Sequence, residues 1–298
     1  MKKFLTFTVF AGLGLLAALQ TSTAHAQADS ATQSNSATQQ TAVHETATDA
    51  TLATASAKVK YVAQAKKWGT LKAKFVVEGK LPDPTKVNTA TDPFCATFPI
   101  MTENLIVSKD GAVKNVALFM DKKSKMKDIH PSFEKPAEAP RVLDNKNCVF
   151  VPHVLFVRPG ETVKVTNSDM TGHNANFNFF NNQAVNFLVP AGGSKDLKIE
   201  TDEPAPIPVE CNVHPWMKAH LIVQEHPAIG ISGEDGVLEI ANLPVGPVTL
   251  RAWHEVGKLD EVTMGGKKVK WARGRMEIEI KEGMNDLGTI TIAADKFK

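Results

Sequence analysis

Cys211-Asn212-Val213-His214-Pro215-Trp216-Met217 places a thiolate, an imidazole and a thioether within seven residues. All three are soft or borderline donors, a set that suits copper in both oxidation states better than calcium or magnesium. Two histidines and a cysteine in a trigonal plane, with a long axial methionine, is the arrangement of blue-copper electron-transfer sites. The loop supplies one histidine. The second should come from a neighbouring strand end, so that two loops meet over the metal at one end of a sandwich. His173 is the best supplier, because 162–167 alternates as a strand and runs through the polar turn Ser168-Asp169-Met170-Thr171-Gly172 into His173-Asn174. Zinc would prefer a fourth Cys, His or carboxylate to Met217. The chain has no Cys-x-x-Cys-His for haem attachment and no glycine-rich phosphate loop.

Outward from this loop the periodicity is that of short strands. Residues 71–77 alternate and stop at Glu78-Gly79, and 105–107 and 113–119 flank the turn Lys109-Asp110-Gly111. Further strands are expected at 148–157, 162–167, 184–189, 195–200, 207–211 and 220–224, with Pro159-Gly160 and Ala191-Gly192-Gly193 as punctuation. Residues 121–147, rich in Lys, Pro and Asp, read as a long excursion with a helical turn. After His226-Pro227 the pattern tightens into a meander over 228–254, with two more alternating strands at 276–280 and 289–293. Many short strands, frequent turns and almost no helical pattern mean an antiparallel sandwich or barrel. The expected division is a copper domain over 58–226 and a smaller β-sandwich over 227–298.

The strand ending in an Asn-x-Asp turn, followed by His-Asn and then by Cys-x-x-His with a later Met, resembles the cupredoxin family. The short gap from His214 to Met217, with Pro215 and an aromatic after the histidine, is most similar to amicyanin. The resemblance covers roughly 150–225. It implies a Greek-key β-sandwich holding one type 1 (blue) copper, with His173, Cys211 and His214 as strong ligands and Met217 as the weak axial one. It also implies that Asn174 ties the two ligand loops together and that the Gly172 carbonyl lies near the opposite axial position. Pro215 lacks an N–H and cannot donate to the thiolate. Trp216, beside His214, would contribute an apolar docking patch around the electron exit. Residues 227–256, carried by the pattern from Gly233-Glu234-Asp235-Gly236 to Leu243-Pro244-Val245-Gly246 and the strand 249–253, resemble the carboxypeptidase regulatory-like, transthyretin-like sandwich. The expected fold is therefore all-β, a cupredoxin sandwich followed by a small transthyretin-like one. The whole arrangement looks like bacterial exported proteins of the methylamine-utilisation type.

Three other histidines are not expected to bind the copper. His153 precedes an apolar strand and reads as packed or at the surface. His220 opens the strand after Met217 and should point away from the site, and His254 falls in the second sandwich near an interdomain surface.

The N-terminus reads as a Sec-type secretory signal over 1–26. Lys2 and Lys3 form its basic start, 4–19 its apolar stretch, and Ala24-His25-Ala26 a small-residue cleavage site. Residues 27–57 are nearly all Ala, Thr, Ser, Gln and Asp, too apolar-poor to offset the entropy of ordering, and read as a tether. The signal carries two of the 34 basic residues and none of the 32 acids, so its removal takes the formal charge from +2 to zero. That balance gives no electrostatic case for nucleic acid or an anionic membrane as partner. An exported, periplasmic protein without stable membrane insertion is expected. Of the three cysteines, two should pair in an oxidising compartment. Cys211 has histidine and methionine beside it, which leaves Cys95 and Cys148 as disulfide candidates, or as two buried thiols. The expected function is a one-electron carrier between redox partner proteins, without enzymatic activity. The alternative is an exported copper-holding or scaffolding module. A mononuclear copper enzyme would need an open coordination position, against which Met217 argues.

Overall fold

The computed structural model describes residues 66–297; the expected signal (1–26) and tether (27–57) lie outside the described residues. In chain order the strands are β1 (Trp68–Glu78), β2 (Ala117–Met120), β3 (Arg141–Lys146), β4 (Val149–Val151), β5 (Val154–Val157), β6 (Thr162–Asn167), β7 (His173–Phe177), β8 (Val185–Val189) and β9 (Ser194–Lys198). They continue as β10 (Ile207–Glu210), β11 (Lys218–Val223), β12 (Ile229–Ile231), β13 (Val237–Pro244), β14 (Gly246–Trp253), β15 (Glu261–Met264), β16 (Lys267–Lys270), β17 (Arg275–Ile280) and β18 (Gly283–Ala293). Among the described residues helical structure is limited to short 3₁₀ turns, so the chain is all-β. No helix among them is long and apolar enough to cross a membrane.

Two sandwiches result. In the first, the sheet β4-β3-β6-β9 faces β5-β11-β10-β7-β8, and Leu143, Phe150, Val163, Val165, Phe177, Ile207 and Leu221 fill the space between them. In the second, β13-β1-β18-β15-β16 faces β12-β2-β14-β17 around Leu71, Phe75, Leu118, Ile240, Leu250 and Ile290.

The expected division at 226/227 is not how the chain is shared out. β1 pairs antiparallel with β13 and parallel with β18, and β2 pairs with β12 and β14. Residues 68–78 and 117–120 are thus integral to the C-terminal sandwich. Between them, Val87, Phe94, Cys95, Phe98 and Ile100 cross over and pack into the core of the first sandwich. There Cys95 forms a disulfide with Cys148. Sheet pairing is non-local, so adjacency in sequence misassigned the N-terminal strands.

Other expectations differ in detail. Residues 105–107 form no strand, only an isolated bridge from Val107 to Val113. The excursion at 121–147 ends in β3, after a 3₁₀ turn at Pro131–Phe133. The single strand expected over 148–157 is two, β4 and β5, parted at Pro152, which has no N–H for a ladder. β7 was not expected, because its five residues His-Asn-Ala-Asn-Phe are mostly polar even though almost all are buried.

A third apolar cluster joins the sandwiches. Ala117, Phe119, Val154 and Ile222 are buried where β5 and β11 meet β2 and β14, with Phe156, Ile229, Ile231 and Trp253 packed around them. Strands covered on both faces should read as continuous apolar runs. β2 does so: Ala117 and Phe119 enter this seam, while Leu118 and Met120 enter the core of the second sandwich. At the exit of β2, buried Asp121 accepts from the Lys123 amide at 2.8 Å, Arg251 Nε at 3.1 Å and Arg275 Nε at 3.0 Å. It thereby pins the chain to β14 and β17.

Candidate metal centre

β10 and β11 form an antiparallel hairpin with Glu210 opposite Lys218, and the loop between them is Cys211 to Met217. The loop is closed by two backbone bonds: Cys211 N–H donates to Met217 O at 3.1 Å, and Met217 N–H to His214 O at 2.8 Å. β7 pairs with β10, placing Glu210 opposite Asn176, so His173 at the start of β7 arrives beside the loop.

His173, Cys211 and His214 converge, each offering a ligand atom within 4.8 Å of the others. All three are buried. The two Nδ1 atoms face one another at 2.9 Å, and His214 Nδ1 lies 3.7 Å from Cys211 Sγ. Met217 is fully buried in the same core. Each ring is held from behind by a carboxylate. His173 Nε2 lies 2.9 Å from Asp169 Oδ2, and His214 Nε2 lies 3.1 Å from Asp92 Oδ2. Such outer carboxylates fix the tautomer and orientation of a ligating histidine.

Sequence reasoning missed both. Asp169 sits in the turn already quoted, where its carboxylate also accepts from the Asn147 and Cys148 amides. Asp92 comes from the crossing segment and carried no local signal. Burial pushes the Asp92 carboxyl up, but the Cys95 amide, His214, Thr171 and the Phe94 amide outweigh it and hold it at about 2.

The donor set fits a metal. Where each Nε2–H is directed at its carboxylate, both Nδ1 atoms present lone pairs to one another, an arrangement that a bound cation satisfies. Burial lowers the pKa of His173, despite the opposing hydrogen bond to Asp169. The amides of Asn174 and His214 point at Cys211 Sγ from 3.5 and 3.4 Å, and Sγ lies 3.3 Å from Asn174 Oδ1.

Asn174 ties the loops together. Its Oδ1 accepts from the Asn212 amide at 2.7 Å and the Val213 amide at 3.2 Å, and its Nδ2 donates to Asn186 Oδ1 and Asn212 Oδ1. Asn174→Ala is expected to cost only about 1–2 kcal/mol of stability, because the freed amides are near solvent. Its effect on the affinity for any metal taken up between His173, Cys211 and His214 should be larger, roughly 10–100-fold. Denaturant melts beside a competitive chelator titration check both.

Trp216 is not the exposed docking surface expected. It is half-buried, donates from Nε1 to Cys148 O at 3.1 Å, and its ring lies 5.1 Å from that of His214. The exposed apolar side chains beside the ligand loops are Met170, Leu188 and Val213. His254 is buried against Phe297 at 5.2 Å, and burial pushes it down to about 4, so it is a neutral packed histidine. His153 and His220 lie together, ring centroids 6.0 Å apart.

No protein-family model matches the chain, and no curated protein does. Among solved structures it is similar to a Cu-containing nitrite reductase from Thermus scotoductus SA-01, at 20% identity and a TM-score of 0.28. That match covers 33% of this chain and 27% of the reductase, so the chain spans about a quarter of that protein's length. It is also similar to amicyanin, for example a methionine-to-alanine mutant in the Cu(I) form (19% identity, TM-score 0.27, 35% of this chain and 100% of that one). A reduced tryptophan-to-tyrosine mutant of amicyanin matches at 20% identity and a TM-score of 0.27, over 35% and 100% of the two chains.

Proposed function

We propose that this is an exported, periplasmic blue-copper protein that passes single electrons between redox partner proteins, with one copper that His173, Cys211, His214 and Met217 would hold. The observation that carries the reading is the pair of Nδ1 atoms meeting 2.9 Å apart beside a buried thiol, with both outer nitrogens bound to carboxylates. Copper bound there would supply a one-electron couple between Cu(II) and Cu(I). The protein's own residues do the rest. Asp169 and Asp92 fix the rings, Asn174 fixes the spacing of the loops, and the amides aimed at Cys211 Sγ tune the sulfur. Burial excludes water, and the rigid strand ends limit rearrangement between oxidation states. Met170, Leu188 and Val213 form the apolar surface on which a redox protein would dock. The reading invokes no catalytic residue, no nucleic acid and no inserted membrane segment.

One observation favours a second reading, a copper-holding module of the cell envelope. His214 is only 1% exposed and its outer nitrogen is covered by Asp92, so its ring edge is not open to a partner. Copper-loaded protein is expected to be intensely blue, with a narrow copper hyperfine splitting in paramagnetic resonance, and Cys211→Ser should abolish both. A colourless parent sinks the copper-thiolate assignment. Electron self-exchange then separates the two uses: fast exchange supports the carrier, and tight retention with slow exchange supports the holding module.

A further inference from the structure

Near the blue-copper candidate, at the seam between the two sandwiches, a second group of ligand-type side chains meets. His153 lies just before β5 and His220 on β11, where the His220 amide donates to the His153 carbonyl at 2.8 Å. Glu255 follows β14 of the other sandwich. One atom from each of the three lies within 4.8 Å of the others. His153 Nε2 is 2.7 Å from Glu255 Oε2, and His220 Nδ1 is 3.8 Å from the same oxygen. Those separations bracket the ~3.3 Å edge of a tetrahedron built on bonds of about 2.0 Å, the length of zinc–nitrogen and zinc–carboxylate bonds.

A second observation is independent of this spacing. Among the described residues, three buried side-chain polar atoms lack a hydrogen-bond partner, and two are His153 Nδ1 and His220 Nδ1. The His153 side chain is only 7% exposed. An orphaned buried polar group is costly, and His220 Nδ1 is the one of the two on the Glu255 side, where a ligand is missing. Glu103 Oε2 stands 4.0 Å from His153 Nδ1, on the side away from Glu255. That is the place of the outer carboxylate behind a ligating histidine. His153 and Glu255 open on a cavity of about 250 Å³ that Glu103, Trp216 and Lys218 also line. The lysine there is paired with Glu210 at 3.3 Å, so it does not cancel the carboxylates.

We propose that His153, His220 and Glu255 form a second metal site for a borderline divalent cation, Zn²⁺ or Cu²⁺, with Glu103 orienting His153. Two neutral imidazoles and a carboxylate give the mixed nitrogen and oxygen set these ions take. Three protein ligands leave a fourth position facing the cavity, where water or a small oxygen ligand completes the shell. Trp216 forms a shared wall, lining this cavity and lying against His214 of the first site.

The test is a Zn²⁺ titration of the full chain carrying Cys211→Ser, which removes the thiolate and makes the outcome independent of the copper reading. Calorimetry and metal content after gel filtration should show one retained Zn²⁺. Adding His220→Ala or Glu255→Gln to that background should weaken binding at least ~10-fold, as even outer-sphere losses do. Glu255→Gln keeps the side-chain shape and serves if His220→Ala fails to fold. Retention of no zinc by the parent, or unchanged affinity in Glu255→Gln, overturns the assignment.

Discussion

Replacing Cys95 and Cys148 together by alanine is expected to lower the unfolding free energy by about 4 kcal/mol, the chain-entropy estimate for a bridge of this span; the cysteines are 53 residues apart in sequence. The consequence should reach the metal centre. The Cys95 amide donates to Asp92 Oδ1 at 3.0 Å, and the other oxygen of Asp92 holds His214. The Cys148 amide donates to Asp169 Oδ2 at 2.8 Å, the oxygen that holds His173. One covalent bond therefore ties together the supports of both histidines. Denaturant melts should show the stability loss, and a chelator competition should show copper affinity falling with it. An unchanged affinity alongside the stability loss would mean that the carboxylates are positioned without the bridge.

Asp121→Ala is the second large effect expected, at about 3 kcal/mol. Breaking a buried ion pair costs roughly 3–5 kcal/mol because the partner charges stay behind. Here Arg251 and Arg275 keep 33% and 23% of their side-chain exposure, which places the loss at the low end. The same carboxylate gives a pH dependence. Burial pushes Asp121 up, but the Lys123 amide and the two guanidiniums outweigh it and hold it below the ordinary 3.8. Its contribution is complete above 3.8 and is lost as the pH falls through the lower folded value. Melts of the parent should therefore lose stability on acidification below that point. Those of Asp121→Ala should show a shallower loss.

The first sandwich was legible because its signals are local. Alternation in 162–167 predicted β6, and the donor spacing from 211 to 217 with the turn before His173 singled out the three side chains that the structure brings together. What stayed hidden depends on partners far along the chain. Asp92 and His214 are bonded across a separation of 122 residues, and no period in either segment announces it. Likewise His153 read as packed or at the surface and His220 as turned away from the copper, and nothing local joined either to Glu255 until β5, β11 and β14 were brought to one seam. The apolar run of β2 was seen as a strand, but a run covered on both faces does not say which two cores cover it.

The crossing of the chain between the sandwiches also bears on how the molecule is assembled. β1 is made early, yet its partners β13 and β18 are among the last strands made, with the whole first sandwich between them. Closing so long a loop precedes any gain from its contacts, which makes such pairings slow. Until they form, β1 and β2 are apolar strands with open edges, prone to pair with other chains. A cut at 226 would make that exposure permanent. The first sandwich is continuous in space but not along the chain, and no single truncation releases it.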